Sequence, residues 1–209
     1  EVDNKDKKHL ASCSNNKHSY AIVKYLISLD KIDLSAKDNE GKNILFYSCM
    51  NGNLDLFLLL SKSNNFDYDD QDLNGKTILH YACGCDNFDL VQSIISLGAI
   101  TTIKDNDDST ILHRACEKGK YDIVNYLVGR GEFNINEKDK KGKTPYMYVL
   151  SSNENSVIKF LEELPSIDLG QLNENTDREV SLDDNEDDLD SKEANLDEKE
   201  DNLDEKKTT

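Results

Sequence analysis

Thr77-Ile78-Leu79-His80 is followed 33 residues later by Thr110-Ile111-Leu112-His113, and that echo decides the fold. Weaker copies stand at Asn43-Ile44-Leu45-Phe46 and Thr144-Pro145-Tyr146-Met147, each displaced by 34 residues. A threonine before an apolar pair reads as a helix start, because its oxygen can accept an orphan amide of the first turn. In the unit beginning at Asp72, the turn Leu73-Asn74-Gly75-Lys76 leads into Thr77, and the spacing predicts a short first helix to about Gly84. A second helix is predicted from near Asp89, with Leu90, Val91, Ile94 and Ile95 on one face and Gly98 ending it.

Alignment of the copies tests the repeat through the backbone, since positions of positive φ favour glycine, asparagine and aspartate. The inter-helix turn carries Gly52, Asp86, Gly119 and Asn153; the end of the second helix Asp30, Asn64, Gly98 and Gly131; the finger turn Gly41, Gly75, Asp108 and Gly142. All are expected at positive φ. Equivalent apolar groups recur on the second helices as Ile22-Val23-Leu26, Leu56-Phe57-Leu60, Leu90-Val91-Ile94, Ile123-Val124-Leu127 and Val157-Ile158-Leu161. Five units follow, at about 3–37, 38–70, 71–103, 104–137 and 138–168. The first is irregular, with His9-Leu10-Ala11 in place of the motif, and Leu164-Pro165 ends the last because proline cannot repeat the turn.

A period near 33 with a Thr-Pro-Leu-His-type start resembles the ankyrin repeat, a turn followed by two helices. The resemblance covers residue 3 to about 168. Ile78 and Ile111 replace the family's proline, and Phe46 and Met147 its histidine. It implies an all-α solenoid of stacked helix-turn-helix units with finger turns, binding another protein through the fingers and the concave helix face. It also implies that His80 and His113 hydrogen-bond backbone and turn.

The formal charge of −17 is uneven, because residues 171–209 carry −11 and leave −6 for the rest. That tail has no aromatic residue and few apolar ones, so 169–209 is expected to be a disordered acidic segment outside a 1–168 array. An odd number of cysteines, five, without an Asn-x-Ser/Thr acceptor points to an intracellular compartment, cytoplasmic or nuclear. The longest purely apolar run, Leu56 to Leu60, is too short for a membrane span, and the charged start lacks a signal peptide.

Chemistry-bearing motifs fail on their own requirements. Gly75-Lys76-Thr77 and Gly142-Lys143-Thr144 lack the glycine five residues earlier that a phosphate loop needs, having Asp70 and Glu137 there. Cys49, Cys83 and Cys116 share one repeat position beside small residues, which fits inward packing better than convergence on zinc. Cys85 lies out of phase, a candidate oxidisable thiol without a visible base. The acidic run from Asp183 lacks the glycine and glutamate of a calcium loop, and Leu182, Leu189, Leu196 and Leu203 lack a second apolar position per heptad. No enzyme, cofactor, metal or small-molecule substrate is expected.

At about 100° per residue, Tyr81 points about 160° away from the inward group Leu79, Ala82 and Cys83. Tyr47, Tyr81, Arg114 and Tyr148 therefore line the groove as partner-binding candidates, or alternatively stack on one another for stability. The finger residues Leu73, Asn74, Lys140 and Lys141 complete the candidate surface. The basic finger around Lys140 could attract the acidic tail; a solvated tail is the alternative. A protein partner is expected, while the charge of −17 opposes nucleic acid. The alternative function is the targeting or regulatory portion of a larger enzyme or channel.

Overall fold

The computed structural model describes residues 20, 23–25, 33–63 and 66–168. The chain divides into a unit Glu1–Leu169 and a unit Gly170–Thr209. The acidic tail, the leucine heptads, Asp30, Asn64 and most of the first repeat lie outside the described residues.

Helical residues at 20 and 23–25 precede eight helices: α1 Ile44–Met50, α2 Leu54–Ser63, α3 Ile78–Ala82, α4 Phe88–Ser96, α5 Ile111–Glu117, α6 Tyr121–Gly129, α7 Pro145–Ser152 and α8 Asn155–Glu162. No strand occurs among the described residues. The helices pair within each unit, and like stacks on like: α1, α3, α5 and α7 form one layer, α2, α4, α6 and α8 the other. Five residues make α3 far too short to persist alone, so its stability comes from burial between neighbours.

The core runs between the layers without a break. Phe57, Leu60, Leu90, Val91, Ile94, Val124 and Leu127 are fully buried, as are Leu45, Leu79 and Leu112 of the inner layer. Cys49, Cys83 and Cys116 are buried too, and burial pushes their thiols far above the ordinary range, so they pack as small apolar groups. Ile158 is only partly buried, because α8 is the last described helix of its layer. Among the described residues no helix is long and apolar enough to cross a membrane.

Glycines 41, 52, 75, 98, 119, 131 and 142 adopt positive φ, as do Asp108 (59°) and Asn153 (57°). Asp86 departs from the expectation: it does not take positive φ. In units two and four the turn closes when Asn53 N donates to Ser48 O and Lys120 N to Ala115 O. In unit three the equivalent carbonyl, Ala82 O, is already taken by Cys85 N (3.1 Å) and Cys85 Sγ (2.9 Å). The helix accordingly stops at Ala82, short of Gly84, and the chain turns without a left-handed residue. Cys85 is thus half-buried and bonded, with burial raising its thiol, which removes the basis for a reactive cysteine.

Candidate functional surface

Each finger turn is built by one aspartate. Asp38 Oδ1 accepts from Glu40 N (2.8 Å) and Lys42 N (3.0 Å), and Asp72 Oδ1 from Asn74 N (2.8 Å) and Lys76 N (2.9 Å). Asp105 does the same with Asp107 N and Ser109 N, both at 2.9 Å, and Asp139 with Lys141 N (2.9 Å) and Lys143 N (2.8 Å). A short side chain closing its own following backbone explains why aspartate opens each of the described fingers.

Adjacent fingers are then joined by one repeated backbone bond: Leu73 N to Glu40 O (3.0 Å), Asn106 N to Asn74 O (2.9 Å) and Lys140 N to Asp107 O (2.9 Å). Asn106 Nδ2 adds a bond to Leu73 O (2.9 Å). Gly75 is required at this contact, since at φ +75° a Cβ would stand 2.5 Å from Asn106 Oδ1 and 2.7 Å from Asn106 N. The predicted finger residues thus divide. Leu73 projects its side chain, 70% exposed, whereas the Asn74 carbonyl and the Lys140 amide are used in joining fingers. Lys140 Nζ also reaches Asn106 O, and Lys141 Nζ lies 3.7 Å from Asp107 Oδ2.

The helix starts tie each unit to the next. Thr77 N donates to His80 Nδ1 (3.1 Å) and Thr110 N to His113 Nδ1 (3.2 Å). An imidazole nitrogen that accepts an amide proton carries none itself, so the proton sits on Nε2. His80 Nε2 therefore donates to Ser109 O (3.2 Å), and His113 Nε2 to Glu137 O (3.0 Å) and Lys143 O (3.3 Å), all in the following unit or at its border. Burial lowers the affinity of both rings for a second proton.

The inner-helix tyrosines are placed by the same aspartates. Tyr81 Oη donates to Asp72 Oδ2 and Tyr148 Oη to Asp139 Oδ2, each at 2.6 Å, and Tyr47 Oη to Asp38 Oδ2. Burial and the carboxylate acceptor raise the Tyr81 and Tyr148 phenols to about 12. Burial opposes charge on Asp38 and Asp139, yet the phenol and amide donors hold both below the usual carboxylate range. The rings do not stack on one another. Tyr81 meets Phe46 edge-on at 6.1 Å and Tyr148 meets His113 at 6.0 Å, each ring packing on the preceding unit. Lys42 Nζ lies 5.1 Å from the Tyr81 ring centre.

This clip escaped the sequence reading, although its signal is plain there: aspartate at 38, 72 and 139 with tyrosine nine residues on. Unit four breaks the pattern. Nine residues after Asp105 comes Arg114, whose guanidinium turns to Glu117 Oε2 (2.5 Å) and lies over Gly84, where a Cβ would meet its Nε at 3.1 Å. A cavity of about 220 Å³ remains beside Lys76, His80 and Asp105.

The four predicted groove residues therefore do lie along one layer, three as clips and one as the exception. No group of histidine, cysteine and acidic residues suited to a metal occurs among the described residues. The family model described as ankyrin repeats in three copies matches residues 8–105 and again 85–173. A search of curated proteins finds no match.

Proposed function

Because the chain belongs to the ankyrin repeat family, whose members generally are protein-protein interaction modules, we propose that it binds a partner polypeptide across its inner-helix face and finger tips, inside the cell. The array spans 1–168 in five units, and 169–209 is a separate acidic tail. Tyr47, Tyr81, Arg114 and Tyr148 line the bound face, while Leu73, Asn74, Lys140 and Lys141 edge it.

The observation that carries this function is Leu73. A leucine 70% exposed at a finger tip contributes nothing to the core, while its backbone is fully engaged in joining fingers. On the inner helices the half-buried tyrosines present flat, pre-ordered rings, a cheap contact for a partner because little side-chain freedom is left to lose. Family arrays bind proteins without performing chemistry as a rule, and the side chains here are spent on one another as clips.

Affinity capture from native cells with Leu73→Asp, Arg114→Ala and the unaltered chain tests the proposal. Leu73→Asp should lose the partner with its circular dichroism and melting temperature unchanged. Full capture by both variants would remove it.

A further inference from the structure

We propose that the cavity of unit four is a receptor for one tyrosine side chain presented by the bound polypeptide, an inference that rests on the groove function above. The molecule supplies its own template. In unit three the Tyr81 phenol donates to Asp72 Oδ2 at 2.6 Å, the ring meets Phe46 edge-on at 6.1 Å, and Lys42 Nζ stands 5.1 Å from the ring centre. One repeat further on, these three partners become Asp105, His80 and Lys76, and all three line the cavity. His80 is a competent replacement for Phe46, because Tyr148 already packs edge-on against the equivalent His113 at 6.0 Å.

Only the ring is missing. Arg114 stands where the tyrosine would be, but its guanidinium is drawn to Glu117 and over Gly84, away from the finger. Asp105 spends Oδ1 on its finger amides, and among the described residues no hydroxyl donates to its Oδ2 as it does in the sister units. The resulting space of about 220 Å³ accommodates one aromatic side chain.

Charge decides against the ionic occupants. Lys76, Arg114 and Lys141 face Asp105, Asp107 and Glu117, so the lining is formally neutral. Arg114 and Lys141 are already paired with Glu117 (2.5 Å) and Asp107 (3.7 Å). A lysine or a phosphate meets as much repulsion as attraction. A phenol brings a neutral ring for Lys76 and His80 and one donor for Asp105.

The test titrates N-acetyl-tyrosinamide into the full ¹⁵N-labelled chain. Amide shifts should be confined to Lys76, His80 and residues 105–109, with N-acetyl-phenylalaninamide roughly tenfold weaker for want of the hydroxyl. Arg114→Tyr fills the cavity from within, so it should abolish these shifts and raise the melting temperature. The proposal is overturned if the probe leaves 105–109 unmoved, if Arg114→Tyr binds it equally, or if N-acetyl-lysinamide binds more tightly. Shifts around Leu73 and Tyr81 alone would remove the tyrosine receptor and leave the broader groove standing. Normal partner capture by Leu73→Asp and Arg114→Ala, with the titration intact, would instead fail the groove function alone.

Discussion

Gly75→Ala and Gly142→Ala are the same substitution at the same turn position, yet they should differ several-fold in cost. Both glycines hold nearly equal φ, +75° and +73°, so a Cβ adds the same local strain of about 1–2 kcal/mol. The unfolded chain loses freedom equally, returning roughly 0.4–1 kcal/mol in each case. Gly142 has nothing within 4 Å of the new methyl, and its net cost should be about 1 kcal/mol. At Gly75 the methyl would stand 2.7 Å from Asn106 N, backbone that cannot yield without shifting the next finger. Displacing Asn106 forfeits two bonds of 2.9 Å, to Asn74 O and Leu73 O, at about 1 kcal/mol each. The net cost should then be about 3 kcal/mol, and it should fall on the junction between units three and four. Urea denaturation gives the totals, and hydrogen exchange locates the loss at the amides of residues 72–76 and 105–109. Equal midpoints for the two variants would refute the claim that inter-finger bonds stabilise the stack.

Acid should act on the histidines before the carboxylates. Burial depresses His80 and His113 in the folded state, so the unfolded chain takes up protons first; their stabilisation is complete above the ordinary value of about 6.5 and is lost as pH falls from there toward the folded values. Asp38 and Asp139, also depressed, lose theirs only below about 4. Melting temperatures of His80→Phe with His113→Met, residues that units two and five already use there, should lack the fall between about pH 6.5 and 5; an unchanged fall would exclude the histidines as its source. Val124→Asp places an unpaired charge at a fully buried site and should cost more than about 3 kcal/mol. Hydrogen exchange should show unit four and its two neighbours losing most protection, and equal loss at residues 44–60 would contradict nearest-neighbour coupling. Cys49, Cys83 and Cys116 should resist iodoacetamide in the native protein and react in urea, as read by mass; native labelling of any of them would contradict their burial.

Local signals carried far in this chain because each repeat states the same instruction again. Gly41, Gly75, Asp108 and Gly142 mark one backbone conformation, and their agreement is stronger than any single turn residue. Asp86 failed for a reason local propensity could not expose: Cys85, an accident of unit three, gives Ala82 O a different partner. Periodicity alone points Tyr47, Tyr81 and Tyr148 away from the fully buried face of their helices, and all three are half-buried in the structure. That they are clipped was missed, since a pairing nine residues apart matches neither helical nor strand spacing.

The sequence by itself determined the unit, its length and which face of each helix points inward, because these follow from short-range backbone and hydrophobic requirements. Only the tertiary structure decided what each polar group does once the units stack: the aspartate of a finger is shared between its own turn and a tyrosine, and His80 and His113 reach Ser109 O and Lys143 O of the next unit. Arg114 illustrates the division. Its letter is visible in the sequence, but the space it leaves beside Asp105 exists only because Glu117 and Gly84 draw its side chain elsewhere.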